Sequence, residues 1–233
     1  MRIFVDPERL AAGRLVVSGD EHHYLARVRR ARTGDRVELV DGAGRRAVGV
    51  IERIADAETE LTVEAPESIV AAPPHVRALI PLIKGDRMDL CLEKLVEVGC
   101  DEIVVWPAAR AVVRLDDDRR EARIAKYQSA VQAAARQCGR AQVPVVRWGA
   151  SLASAIAALP PGLRFVLDPT SDTPLDAAGA TDVTIVSGPE GGLAPAELDI
   201  LDAFTSVGLG PRILRAETAP VIATAILRAQ TRS

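Results

Sequence analysis

The chain has 233 residues, 48% hydrophobic and only 3% aromatic, with a formal net charge of −3. That allows one large domain or two smaller ones around aliphatic cores, and it argues against a protein that coats nucleic acid by bulk positive charge. No run approaches the roughly 18 apolar residues of a membrane span, and the opening MRIFVDPERL reads as strand and turn rather than a leader, so a cytoplasmic location is expected.

Residues 1 to about 70 read as short strands with tight turns. RIFV, RLVVS, RVELVD, RAVGVIERI and ELTVEA alternate apolar and polar residues with period two. One helix interrupts them: Ser18 and Glu21 have capping-box spacing, which predicts a helix through HHYLARVRRAR to Gly34. A small β-barrel carrying one helix is the simplest architecture. Gly42-Ala43-Gly44-Arg45-Arg46-Ala47 matches a dinucleotide fingerprint, but AVGVIERI after it alternates like a strand. The stretch is therefore a hairpin turn, and a nucleotide-binding oxidoreductase is set aside.

Ile69 to Pro74 reads as a linker, and beyond it the texture becomes α/β. VRALIPLI (76–83) predicts a buried strand despite Pro81, and Asp86 to Val98 an amphipathic helix stopped by Gly99. Strand EIVVWP follows, then a long helix from about Asp118 to Gln137. Strands RFVLD and VTIVS, helix PAELDILDAF, the short strand SVGLG and a helix from about Glu217 to Gln230 complete the chain. Continuous apolar strands alternating with helices imply a parallel sheet covered on both faces, whose ligands bind at the carboxyl ends of the strands.

Three of those strand ends are unusual: Leu167-Asp168-Pro169, Ser187-Gly188-Pro189-Glu190-Gly191-Gly192, and Leu209-Gly210-Pro211-Arg212-Ile213-Leu214-Arg215. Glycines at such ends let a ligand approach the backbone closely. A single loop of this kind is better explained by a tight turn, but two glycine-proline loops in one domain shift the balance towards a site. Phosphate fits poorly, because Glu190 would repel it and no Gly-Lys-Ser/Thr ending is present. A ligand joining an adenine to a cationic centre fits better, which favours S-adenosylmethionine over ATP or NAD. Cys91, Cys100 and Cys138 lack C-x-x-C spacing and read as reduced thiols. The adjacent His22 and His23 lack acidic or cysteine companions, so no metal is expected.

KGDRMDLCLEKLVEVG (84–99), AARQCGRAQVP (134–144), SGPEGGLAPAEL (187–198) and LGPRILRAETA (209–219) occur in the order that resembles the RsmE family. These are the 16S ribosomal RNA uridine N3-methyltransferases of the SPOUT superfamily. HHYLARVRR resembles their PUA-like RNA-binding domain. The resemblance implies a PUA-like β-barrel over 1–70 and a SPOUT methyltransferase domain over 75–233. It further implies a C-terminal trefoil knot, a homodimer, S-adenosylmethionine as cofactor and 16S rRNA of the small subunit as partner, with no membrane. Carried over by position, the cofactor residues are Leu167, Asp168, Gly188, Pro189, Glu190, Gly191, Gly192, Leu209, Gly210, Ile213 and Leu214. Two positions depart from the pattern: Arg136 stands before Gln137 where an acidic residue is common, and Arg29 follows Val28 where an apolar one is usual.

Methylation at uridine N3 calls for a cation near the uracil carbonyls, for which Arg212 and Arg215 are candidates. It also calls for a proton acceptor, for which Glu217 is a candidate, alongside its reading as a first-turn carboxylate on the helix dipole. Arg212 equally suits a phosphate contact or a dimer ion pair. Arg27, Arg29, Arg30 and Arg32 form either a solvated face or, beside a methyltransferase domain, a phosphate-binding surface joined by His23, Lys84 and Arg110. A ribose 2′-O-methyltransferase and a non-catalytic ribosome-assembly factor remain as alternatives.

Overall fold

The computed structural model of the chain describes residues 1–69, 71–113, 117–177 and 179–230; Val70, within the expected linker, and the last three residues of the expected 75–233 domain lie outside them. The chain divides into two compact units, one of Met1–Ala71 with Ala135–Val143, the other of Ala72–Ala134 with Pro144–Ser233.

In the first unit, β1 (Arg2–Phe4), β2 (Gly13–Ser18), β3 (Arg36–Val40), β4 (Arg45–Ile54) and β5 (Glu58–Val63) form a sheet in the order β1-β3-β4-β5-β2, with β6 (Glu67–Ser68) on β4. The expected alternation is present. Leu15 and Val17 of β2, Leu39 of β3, Ile51 of β4 and Leu61 of β5 meet in one apolar cluster with Leu25. No ladder joins β1 to β2 among the described residues, so the barrel is open at that seam.

The expected helix from Ser18 to Gly34 is shorter. Ser18 is the last residue of β2, paired with Glu58, and makes no side-chain cap. The Glu21 carboxylate reaches Arg136 at 3.4 Å instead of a backbone N–H of its own first turn. Helix α1 spans Gly19–His23, a π-helical turn Tyr24–Val28 continues it, and Arg30 takes a positive φ of 50° that ends any helix. His22 is buried with Nδ1 2.9 Å from Thr59 Oγ1, a structural contact.

In the second unit six parallel strands lie in the order β12-β10-β11-β7-β8-β9: β7 (His75–Pro81), β8 (Glu102–Trp106), β9 (Val145–Trp148), β10 (Leu163–Leu167), β11 (Asp182–Val186) and β12 (Thr205–Val207). The longer strands are buried along almost their whole length, as a sheet covered on both faces requires. Pro81 is tolerated as the last residue of β7. On one face Leu79, Val104 and Val166 pack with Leu152 and Ala155 of α4 (Leu152–Ala157). Helix α6 (Ala219–Gln230) packs on β7 and β11 and on α2 (Asp86–Val98); α3 (Asp117–Cys138) and α5 (Pro195–Ile200) complete the set. β9 and α4 escape sequence reading because runs of four and six residues are too short to show a period.

Gly99 ends α2 in the left-handed region at φ 101°, which leaves its carbonyl free to accept from Arg228 of α6 at 2.9 and 2.8 Å. The same guanidinium donates to Pro74 O and to the Asp101 carboxylate, whose side chain is 5% exposed. Arg228 thereby ties the last helix to the end of α2. Arg228→Met takes the guanidinium away from the nearly buried Asp101 carboxylate and from the Gly99 and Pro74 carbonyls, at a cost on the order of 3 kcal/mol. The expected result is a thermal midpoint lower by roughly 6–12 °C, readable by calorimetry.

Candidate active site

The chain leaves β11, which lies between β10 and β7, and returns as β12 on the far side of β10. Such a reversal opens a crevice beyond the carboxyl ends of the strands. Three successive strand ends converge there. Leu167 and Asp168 leave β10, Ser187 to Gly192 leave β11, and Gly208 to Arg215 leave β12. Most of these residues, without Gly191, Gly208 and Pro211, line a cavity of about 730 Å³ together with Leu198, Leu201 and Phe204, within the range of small-molecule sites.

The convergence depends on a close backbone crossing. Gly208 donates its N–H to Thr173 O at 2.9 Å, and Ser171 Oγ donates to Ser206 O at 3.0 Å. A Cβ at Gly208 would lie 2.0 Å from the Ser171 carbonyl oxygen, so only glycine fits. This is where the segment after β12 passes the loop after β10. Asp168 secures that loop. Its Oδ1 accepts from Thr170 N and Oγ1 at 2.8 and 2.7 Å, and its Oδ2 from Ser206 Oγ at 3.2 Å. The Thr170 hydroxyl, its backbone N–H and Ser206 hold this carboxyl below the usual range.

The Gly-Pro-Glu-Gly-Gly loop closes as a turn, with Gly192 N–H donating to Pro189 O at 2.8 Å. It has two outside anchors. Arg110 Nη1 donates to Gly191 O and Leu193 O at 3.3 and 3.2 Å, and Arg87 Nη1 lies 2.6 Å from Glu190 Oε1. Helix α5 follows without a polar N-cap, and Glu197 supplies the missing acceptor from within. Its carboxylate takes the N–H of Ala194 and of Ala109, both at 2.7 Å. Ser187 is 1% exposed, lines the cavity, and its hydroxyl has no hydrogen-bond partner among the described residues.

Ten of the eleven expected cofactor residues line the cavity: Leu167, Asp168, Gly188, Pro189, Glu190, Gly192, Leu209, Gly210, Ile213 and Leu214. Gly191 does not, because it faces Arg110. Arg212 and Arg215 line it and Glu217 does not. The Glu217 side chain is 7% exposed, 3.8 Å from Arg215 and 3.9 Å from Arg87, and it stands outside the cavity lining. Arg110, grouped above with the phosphate-binding residues, is committed in part to the loop. Lys84 is exposed after β7, and in the other unit His23, Arg27, Arg29, Arg30 and Arg32 are all exposed. Sequence reading missed Arg87, Ser187 and Ser206. KGDRMDL carried the only signal for Arg87, as a basic residue in the first turn of a helix.

An RNA methyltransferase domain model matches residues 71–228 and an RNA methyltransferase PUA domain model residues 17–63. Ribosomal RNA small subunit methyltransferase E of Mycobacterium bovis is 34% identical, covering 96% of this chain and 89% of that protein. The chain belongs to the RsmE family of RNA methyltransferases. The RsmE protein of Bacillus subtilis is 29% identical over 92% of this chain and 90% of its own length. The crystal structure of RsmE from Neisseria gonorrhoeae bound to S-adenosyl methionine superposes with a TM-score of 0.81 at 27% identity, covering 98% of this chain and 96% of that one.

In this RsmE-family chain the depressed Asp168 carboxyl links the site to stability. A group whose folded pKa lies below its unfolded value stabilises the fold above the unfolded value, near 3.8, and loses that contribution as pH falls through the folded one. Asp168→Asn is expected to lower stability at neutral pH and to flatten the loss of stability on acidification below about pH 4, as measured by denaturant titration across pH.

Proposed function

We propose that the chain methylates N3 of a uridine in the 16S ribosomal RNA of the small ribosomal subunit, as an S-adenosylmethionine-dependent enzyme. The observation that carries this reading is the cavity at the ends of β10, β11 and β12, walled by the glycine loops and flanked by Arg212 and Arg215.

The residues present suit the cofactor. Leu198, Leu201 and Phe204 offer an apolar wall for an adenine, and the Ser187 hydroxyl, without a partner among the described residues, and the fixed Asp168 carboxylate offer polar contacts. At Gly188 a Cβ would press on the Leu193 side chain at 3.1 Å, so a larger residue there would crowd the loop that faces the ligand. Bound there, S-adenosylmethionine supplies an electrophilic methyl group on a sulfonium. N3 would bond to that methyl carbon with its own electron pair, its proton passing to solvent water, while the electron pair of the broken carbon–sulfur bond would stay on the sulfur. Arg215, 77% exposed at the cavity and held by Glu217, stabilises the negative charge that develops on the uracil carbonyls. Arg212 shares that part or binds the adjoining phosphate.

RNA binding falls to the PUA-like unit of residues 1–70, through the exposed arginines 27, 29, 30 and 32, which contact phosphate, and the methyltransferase domain spans 75–233. A flipped uridine reaches the cavity. A second copy of the chain completes the site, seated against Ile213, which is 85% exposed beside Arg212. The location is cytoplasmic; no described helix is long and apolar enough to cross a membrane.

Small subunits from a strain lacking the gene, treated with the purified protein and the cofactor, are expected to gain one N3-methyluridine by mass spectrometry of nucleosides. A methyl mark on ribose overturns the base assignment. Gly188→Arg is expected to abolish cofactor binding in calorimetry with an unchanged circular dichroism spectrum, and retained affinity would place the pocket elsewhere.

A further inference from the structure

The sequence motif around Arg87 has no part in the chemistry above, yet this side chain reaches one wall of the cavity at Glu190 and Glu217 at the foot of another. Arg87 stands in the first turn of α2, outside the cavity lining. Its Nη1 is 2.6 Å from Glu190 Oε1 in the loop after β11 and 3.9 Å from Glu217 Oε2 at the foot of the loop after β12. Glu217 Oε2 is buried without a hydrogen-bond partner among the described residues, and its other oxygen lies 3.8 Å from Arg215. The four groups thus run Glu190, Arg87, Glu217, Arg215, alternating in sign from one wall to the other.

We infer that Arg87 is a positioning residue that clamps the Gly188–Gly192 loop to the Leu209–Arg215 loop and so sets the width of the methyl-donor cavity. This rests on the function proposed above. Two consequences follow. The Glu190 charge is offset by a guanidinium before any ligand arrives, so Glu190 serves as a loop anchor rather than a bare counter-ion for the sulfonium. Arg87 also holds Glu217, and through it Arg215, so one side chain governs both the donor pocket and the cation facing the acceptor base. The pair is partly exposed, with side chains 38% and 36% accessible, so its attraction alone is modest. Its effect comes from limiting where two glycine-rich loops can move, which shows in ligand affinity more than in stability.

The test is a double-mutant cycle of Arg87→Met, Glu190→Gln and the pair, with Arg87→Lys as the conservative variant. S-adenosylmethionine affinity is measured by calorimetry, and amide hydrogen exchange of residues 188–192 is measured in the ligand-free protein. Arg87→Met and Glu190→Gln are each expected to weaken binding about tenfold and to speed exchange in that loop, with the thermal midpoint close to wild type. The double variant is expected to be no worse than the weaker single, and Arg87→Lys to recover part of the affinity. With methylated small subunits as the readout, Arg87→Met raises KM for the donor more than it lowers kcat. Wild-type affinity in Arg87→Met, or penalties that multiply in the double variant, overturns the clamp. If the wild type itself fails to bind S-adenosylmethionine, the cofactor assignment falls. The exchange rates then decide the clamp alone: faster exchange in Arg87→Met upholds it and unchanged exchange rejects it.

Discussion

The cavity exists because two backbone segments pass each other at contact distance. At Gly208 there is no room for a side chain against the Ser171 carbonyl, and the N–H of the same residue is bonded to Thr173 O. That crossing fixes where the chain emerges from β12, and with it the direction of Leu209 to Arg215. If the crossing were loosened, the third loop would have no reason to meet the other two. The resemblance to SPOUT enzymes implies a trefoil knot at this end of the chain, and the tight passage by the loop after β10 is the kind of contact such a path needs.

Charge then sets what the cavity can accept. Asp168 is fixed by three hydrogen bonds and stays ionised, Glu190 is answered by Arg87, and Arg215 leans on a buried glutamate. Most acidic groups near the cavity therefore already have partners, while Ser187 keeps a hydroxyl without one among the described residues. The Asp168 carboxylate and the Ser187 hydroxyl are polar groups that this lining offers to a ligand beside its apolar wall. The exposed arginines of the N-terminal unit are free of that constraint and suit a polyanion.

Much of this was legible in the sequence. The strands are β-branched runs whose burial follows their apolar pattern, and the three loops declared themselves by glycine and proline after such runs. The errors were local. Ser18 and Glu21 have the spacing of a cap, but Ser18 is used by the ladder with Glu58 and Glu21 by Arg136, a partner 115 positions away. Glu217 reads equally well as a proton acceptor or as a first-turn carboxylate on the helix dipole, but α6 begins at Ala219, and the two arginines beside Glu217 are neighbours that only the fold supplies. Arg87 looked like any charge on an amphipathic helix, because its partners lie in loops brought together only by the order of the strands. Spacing reports neighbours along the chain, and these contacts are set by the fold.

The most direct measurement is a crystal structure of the full chain grown with S-adenosylmethionine. The account predicts density for the bound molecule between residues 188–192 and 209–215, with the adenine against Leu198, Leu201 and Phe204 and the methyl group turned towards Arg215. Density at another place, or those two segments standing apart with nothing between them, would contradict it.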